Sequence, residues 1–188
     1  EMKSTEKDFP KEKTVFTGNP CSEDAIKKAP ISKSSLGLSE DKKLVLVVMG
    51  SLGASTVNKV LVEMLPMIKN DSYEVVFVTG KKDYDEISKN IFPSNVKVVP
   101  YIDGLSGLMK NTDLIVTRAG ASTLSDLIAL RVPSILIPSP YVPNNHQYIN
   151  AMDLVNANAA DIIEEKDLTA EGLISKMDEL LFNHDRLE

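Results

Sequence analysis

The sequence predicts an α/β fold: an open, mostly parallel six-stranded sheet with helices on both faces. Three observations carry that expectation. Apolar runs of strand length alternate strictly with helical patterns from Lys43 onward. The runs, such as Leu44–Met49 and Val75–Val78, are continuous rather than alternating, as strands buried on both faces require. Turns rich in Gly, Pro or small hydroxyl residues follow the runs, at 50–53, 118–123 and 139–146. Strand-to-helix loops of a parallel sheet share one edge, so these three turns should face one crevice.

Taken in order, residues 1–14 are charged and without periodicity. Val15–Phe16 reads as a short extended piece, closed by a turn at Thr17-Gly18-Asn19-Pro20. The Ser- and Lys-rich stretch 21–40 reads as a linker or a weak helix. Residues 1–40 are therefore expected to be an arm and inter-domain linker, and 41–188 the folded domain. Leu44–Met49 is the first strand. Val57, Val60, Leu61, Met64, Leu65 and Ile68 recur at helical spacing after it. The next strands are expected at Val75–Val78, Val96–Val99, Asp113–Val116, Pro133–Pro138 and Ala160–Ile163. Helices are expected at 83–90, 105–111, 123–130 and 146–157. A last helix should begin near Thr169 as N-cap, with Leu173, Ile174, Met177, Leu180 and Leu181 inward. No internal repeat of solenoid length is present.

Composition sets outer bounds. Hydrophobic residues make up 43% and charged residues 26%, ordinary globular usage that permits a core. A net charge of −6 argues against non-specific nucleic-acid binding, which needs a basic face. No run reaches the length of a membrane-spanning helix, and EMKSTEKDFP has no apolar segment of a signal peptide. The start at Glu1, without an initiator Met, suggests a fragment or a processed chain. With 2 His and 1 Cys there is no zinc constellation and no internal disulfide.

Three stretches carry possible chemistry. GSLGA at 50–54 is either a turn that lets a phosphate approach bare backbone or simply a tight turn needing positive φ. AGASTLSD at 119–126 places small residues at a helix start. An anion there gains N–H hydrogen bonds and a dipole term of about 0.3–1 kcal/mol. The competing explanation is a capped helix, since Thr123 and Asp126 have capping-box spacing. NNHQYIN at 144–150 puts His146, Gln147 and Asn150 in the first turns of one helix. Amides and imidazole there suit a hydroxyl-rich ligand, or cap the helix. Asp83-Tyr84-Asp85 has the look of a metal-binding D-x-D, but acids are expected at a helix start in any case.

VVMGSLGA, TGNP, TRAGAST, VPSILIPSPYVPNNHQYINA and the stretch from Ala160 together resemble MurG-type N-acetylglucosaminyltransferases. The resemblance covers residues 15–183. It corresponds to the C-terminal, donor-binding, Rossmann-like half of a two-domain GT-B fold. It implies inverting transfer of GlcNAc from UDP-GlcNAc to the undecaprenyl-linked muramoyl-peptide precursor of peptidoglycan, with no cofactor and no metal. It implies that Gly50, Ser51 and Gly53 lie near the phosphates and sugar. Ile102 would offer its backbone to the uracil. Gly120, Ala121, Ser122 and Thr123 would hold the diphosphate, and Asp126 the ribose hydroxyls. His146, Gln147 and Asn150 would face the GlcNAc. Partners would be UDP-GlcNAc, an N-terminal acceptor domain of the same polypeptide and, through it, the lipid-linked acceptor; nucleic acid is not a partner. The full-length protein would be cytoplasmic, peripheral to the inner face of the bacterial cell membrane.

The sequence departs from the family pattern at Asp126, where Glu is usual, at Leu52, where Gln is usual, and at Ser22, where Arg is frequent. The family's N-terminal Gly-rich motif with its candidate general-base His is not in the sequence, so transfer by this chain alone is not expected. Two other UDP-sugar enzymes remain open: a diacylglycerol glycosyltransferase and a split dolichol-linked GlcNAc transferase. So does a non-enzymatic UDP-sugar-binding module. An NAD domain fits less well, because the first turn lacks a third Gly.

Overall fold

β1, Lys43–Val48, is the centre of the sheet. It pairs in parallel with β2, Tyr73–Val78, on one side and with β4, Leu114–Thr117, on the other. β3, Val96–Val99, extends the sheet beyond β2. β5, Ser134–Leu136, and β6, Ala160–Ile162, extend it beyond β4. The six strands run in the order β3-β2-β1-β4-β5-β6, all parallel. This is a computed structural model; it describes residues 10–15, 17, 19, 21–50, 54–69 and 71–183.

The period of two along each strand divides the core in two. Val45, Val47, Val75, Phe77, Leu114, Val116 and Ile135 face one side. There they meet α2, Ser55–Met64, through Val57 and Leu61, and α7, Ala170–Phe182, through Leu173 and Met177. Leu44, Leu46, Val76, Ile115 and Leu136 face the other side. They pack on α4, Leu105–Met109, α5, Ala121–Leu130, and α6, His146–Asn156. α3, Tyr84–Ile87, is a single turn that contributes Ile87 to the first cluster. The central strands are buried on both faces, which is why they read as unbroken apolar runs.

Several elements differ in extent from their sequence expectation, each for a local reason. The helix after β1 stops at Met64 rather than running to Ile68. Pro66 lacks an N–H, and the chain tightens into a 3-10 turn, Leu65–Met67. β2 begins at Tyr73 rather than Val75 because its ladder with β1 already pairs Tyr73 with Lys43 and Glu74 with Leu44. β5 is confined to Ser134–Leu136 between Pro133 and Pro138. α7 starts as its sequence indicates: Thr169 Oγ1 accepts a hydrogen bond from Gly172 N–H at 3.1 Å.

Residues 21–31 are docked on the domain. α1, Cys21–Lys27, packs across α5, with Ala25 only 2% exposed. Ser22 Oγ donates to Ser125 O at 3.2 Å. Lys110 Nζ donates to Ile26 O and Lys28 O, Asn111 Nδ2 to Ile31 O, and Ile31 N–H to Gly107 O. The stretch is held to the back of α4 and α5, the two helices that border the crevice described next. Of the turn expected at 17–20, Gly18 and Pro20 lie outside the described residues.

Candidate functional site

The strand order reverses between β1 and β4, and chains leaving neighbouring strands in opposite directions leave a crevice at their carboxyl ends. A cleft of about 620 Å³ occupies that position. The β1–α2 turn contributes Gly50, Ala54, Ser55 and Thr56. The β4–α5 turn contributes Thr117, Arg118, Gly120, Thr123 and Asp126. Leu105 and Met109 of α4 form an apolar wall with the Ser106 hydroxyl beside them, and Ser139, Tyr141 and Gln147 also line the cleft.

The floor is the start of α5. Its N-cap is Gly120, in extended conformation at φ −72° and ψ 140°, with no side-chain cap. The first-turn N–H groups of Ala121, Ser122 and Thr123 are thus left without a capping side chain. They face the same region as the positive end of the helix dipole. Helix N-termini of this kind hold anions. Thr123 and Asp126 are not a capping box. The helix begins at Ala121, so Thr123 is inside the first turn and Asp126 beyond it. Asp126 points into the cleft, and its Oδ1 is buried without a hydrogen-bond partner. Burial pushes its carboxyl above the usual carboxylate range.

The other residues named from sequence are placed as follows. Gly50 lines the cleft at φ +90°, a conformation that favours glycine. Ser51 and Gly53, with Leu52, lie outside the described residues. Ile102 buries its side chain in the core between β3 and α4, so only its backbone remains to meet a ligand. Gln147 lines the cleft, and its Oε1 accepts from Ser139 N–H at 2.9 Å. That bond holds the 139–145 loop, which carries left-handed Asn144 and Asn145, against α6. His146 Nδ1 lies 2.9 Å from Pro143 O, so the tautomer that donates there leaves Nε2 as the accepting nitrogen. Asn150 is fully buried: Nδ2 donates to Ala119 O at 3.5 Å, and Oδ1 has no partner. It stands behind the β4–α5 turn, not on the cleft surface. Asp83 accepts from Asn58 Nδ2 at 2.7 Å and ties α3 to α2.

Arg118, Thr56 and Glu165 were not singled out from sequence. Arg118 Nη2 pairs with Glu165 Oε2 at 2.7 Å, and both side chains are 11% exposed. Thr56 hydrogen-bonds the other Glu165 oxygen. Arg118 follows directly on a strand in a small-residue turn, a local signal that could have marked it. Glu165 carries no such signal.

An open, doubly wound parallel sheet with an uncapped helix N-terminus in its switch-point crevice defines the class: an α/β domain whose crevice at the carboxyl edge is suited to an anion. Within that class, the chain belongs to the glycosyltransferase family 28 C-terminal domain family, whose model matches residues 44–188. It is 44% identical over 185 residues to the Bacillus cytotoxicus UDP-N-acetylglucosamine--N-acetylmuramyl-(pentapeptide) pyrophosphoryl-undecaprenol N-acetylglucosamine transferase, covering 96% of this chain and 51% of that protein. The Bacillus cereus protein of the same name, numbered 1, matches at the same 44% identity, 96% and 51% coverage. The crystal structure of Acinetobacter baumannii MurG shares the fold at a TM-score of 0.72 and 22% identity, over 95% of this chain and 51% of that one. The chain spans about half, 51%, of the length of the curated relatives it matches.

Proposed function

We propose that this chain is the donor-binding half of an inverting glycosyltransferase, and that its cleft takes UDP-GlcNAc. One observation carries the reading. Asp126 lines a cleft floored by an uncapped helix N-terminus, and its carboxylate keeps one oxygen, Oδ1, buried without a partner. A carboxylate short of hydrogen-bond partners is costly to bury, and ligand hydroxyls meeting the Asp126 carboxylate from the cleft would supply them. Ribose hydroxyls on Asp126 and a diphosphate on the α5 amides suit one nucleoside diphosphate, with the apolar α4 wall beside it. The names of the relatives, which are UDP-N-acetylglucosamine-dependent transferases acting on an undecaprenol-linked acceptor, support the sugar and the acceptor class.

In transfer, UDP departs as the acceptor hydroxyl attacks the anomeric carbon. The α5 N–H groups then stabilise the charge that grows on the leaving diphosphate. Backbone donors can meet that charge without a metal, and on this reading a chelator leaves donor affinity unchanged. The attacking hydroxyl must be aligned and deprotonated by a base. That base and the acceptor site are assigned to the rest of the full-length protein, so the chain alone binds donor without transferring it. Among the described residues no helix is long and apolar enough to cross a membrane. An undecaprenol-linked acceptor, as in the relatives' names, supports work at the inner membrane face for the whole protein.

Titration with UDP-GlcNAc, UDP-glucose, UDP, GDP and NAD, by calorimetry or amide shifts, tests the reading. Preference for UDP-GlcNAc with shifts at 120–126 is expected. Preference for NAD, or no binding at millimolar ligand, defeats it. Measurable GlcNAc transfer by the purified chain would overturn the assignment of the base.

A further inference from the structure

Glu165 opens a 3-10 turn, Glu165–Asp167, after β6. Both of its carboxylate oxygens are engaged. Oε1 accepts from Thr56 Oγ1, at the start of α2, and Oε2 accepts from Arg118 Nη2 in the β4–α5 turn at 2.7 Å. The other terminal nitrogen of Arg118 donates to Ile137 O, just past β5, at 3.1 Å. One carboxylate therefore joins segments that follow three different strands, β1, β4 and β6, and Arg118 extends the link to a fourth, β5. Thr56 and Arg118 both line the cleft, and Glu165 bridges them from outside its lining.

Charge alone does not account for an acid here. Arg118 is the one cation among the described residues of the cleft lining, and Glu165 neutralises it. An anionic ligand would be attracted more strongly if Arg118 were unpaired. The geometry points to Glu165 as a positioning residue, which holds the first turn of α2 and the Arg118 guanidinium in fixed relation across the cleft. Donors already in place before binding lose less freedom when the ligand arrives, and that offsets the surrendered charge. The inference rests on the reading of the cleft as a UDP-sugar donor site.

Two substitutions at Glu165 predict opposite outcomes for positioning and for charge. Glu165→Ala removes both bonds and adds one positive charge to the site. Glu165→Gln adds the same charge, but its amide can still accept from Arg118 and donate to Thr56 Oγ1. For a positioning role, Glu165→Ala weakens UDP-GlcNAc binding roughly tenfold or more, and Glu165→Gln restores it to within about threefold of the parent. In the unliganded protein, amide exchange at 56–59 should speed up in Glu165→Ala and stay slow in Glu165→Gln. Tighter binding by both variants would show Glu165 to be an electrostatic brake and overturn the inference. So would affinity and exchange unchanged in Glu165→Ala. If Glu165→Ala does not fold, Thr56→Val removes one bond without stranding a charge; faster exchange at 56–59 is expected, and unchanged exchange refutes the role. If the parent chain binds no UDP-GlcNAc, the donor reading fails. The exchange comparison then decides the role of Glu165 by itself.

Discussion

Asp126 keeps one carboxylate oxygen buried and unpartnered, and burial raises its pKa from the ordinary value of 3.8. With the folded value above the unfolded one, the native state holds this proton over a window in which the unfolded chain has lost it. Stability from this group is therefore present at acid pH, declines as pH climbs from 3.8 through the raised value, and is absent above it. Asp126→Asn should flatten that dependence and leave the neutral-pH thermal midpoint no lower than the parent's. The same change should weaken UDP-GlcNAc about tenfold or more, because the ribose loses its charged acceptor. A fall in stability with unchanged affinity would make Asp126 a structural residue only. Gly120 shows a similar opposition. A Cβ there would meet nothing nearer than Thr123 Oγ1 at 4.0 Å, so the fold itself leaves room for a side chain. Gly120→Ser should cap α5 and gain roughly a few tenths of a kcal/mol in denaturant melts. Its side chain would occupy the approach to the α5 amides, and donor affinity measured by calorimetry should drop.

At the scale of elements, α1 and the chain up to Ile31 brace α4 from behind. A Cβ on Gly107 would lie 2.4 Å from Ala29 O, a backbone atom that cannot swing away. Gly107→Ala should therefore cost about 1–3 kcal/mol by overpacking. It should also loosen the α4 wall that carries Leu105, Ser106 and Met109. Chemical denaturation measures the cost. A midpoint equal to the parent's would show that residues 21–31 are not packed as described. Local signals alone leave 21–40 as a linker or a weak helix, since its composition is polar and Ser-rich. Its docking rests on Ala25, on one serine hydroxyl and on Lys110 and Asn111, which sit far along the chain.

For the molecule as a whole, the net charge of −6 opposes an anionic donor, but charges farther from it than about 8 Å are largely screened at physiological salt. Inside the cleft the donors are backbone amides, and Arg118 is already paired. Donor affinity should consequently vary by less than about threefold between low and high ionic strength, unlike a site built on free cations. A steep loss with salt, followed by calorimetry, would show that unpaired Lys or Arg residues do the binding. Because ligand favours the folded state by mass action, saturating UDP-GlcNAc at a hundred times Kd should add about 2.7 kcal/mol of stability, visible as a higher thermal midpoint.

The strand–helix alternation, the shared edge of the three turns and the small-residue start of α5 are all written locally. Apolar period and turn chemistry act over a few residues, so they can be read without a fold. The same local reading left a capping box at Thr123 and Asp126 open as an alternative, because it could not tell that the helix begins at Ala121. Tertiary structure alone decided which side chains meet. It buried Asn150 behind Ala119, set Asp126 in the cleft wall and left its Oδ1 without a partner. It also joined Arg118 and Thr56 to Glu165 across 47 and 109 residues of sequence. Those encounters depend on strand order, which brings the ends of β1, β4, β5 and β6 to one edge. A pairing between residues so far apart leaves no mark in the neighbourhood of either one.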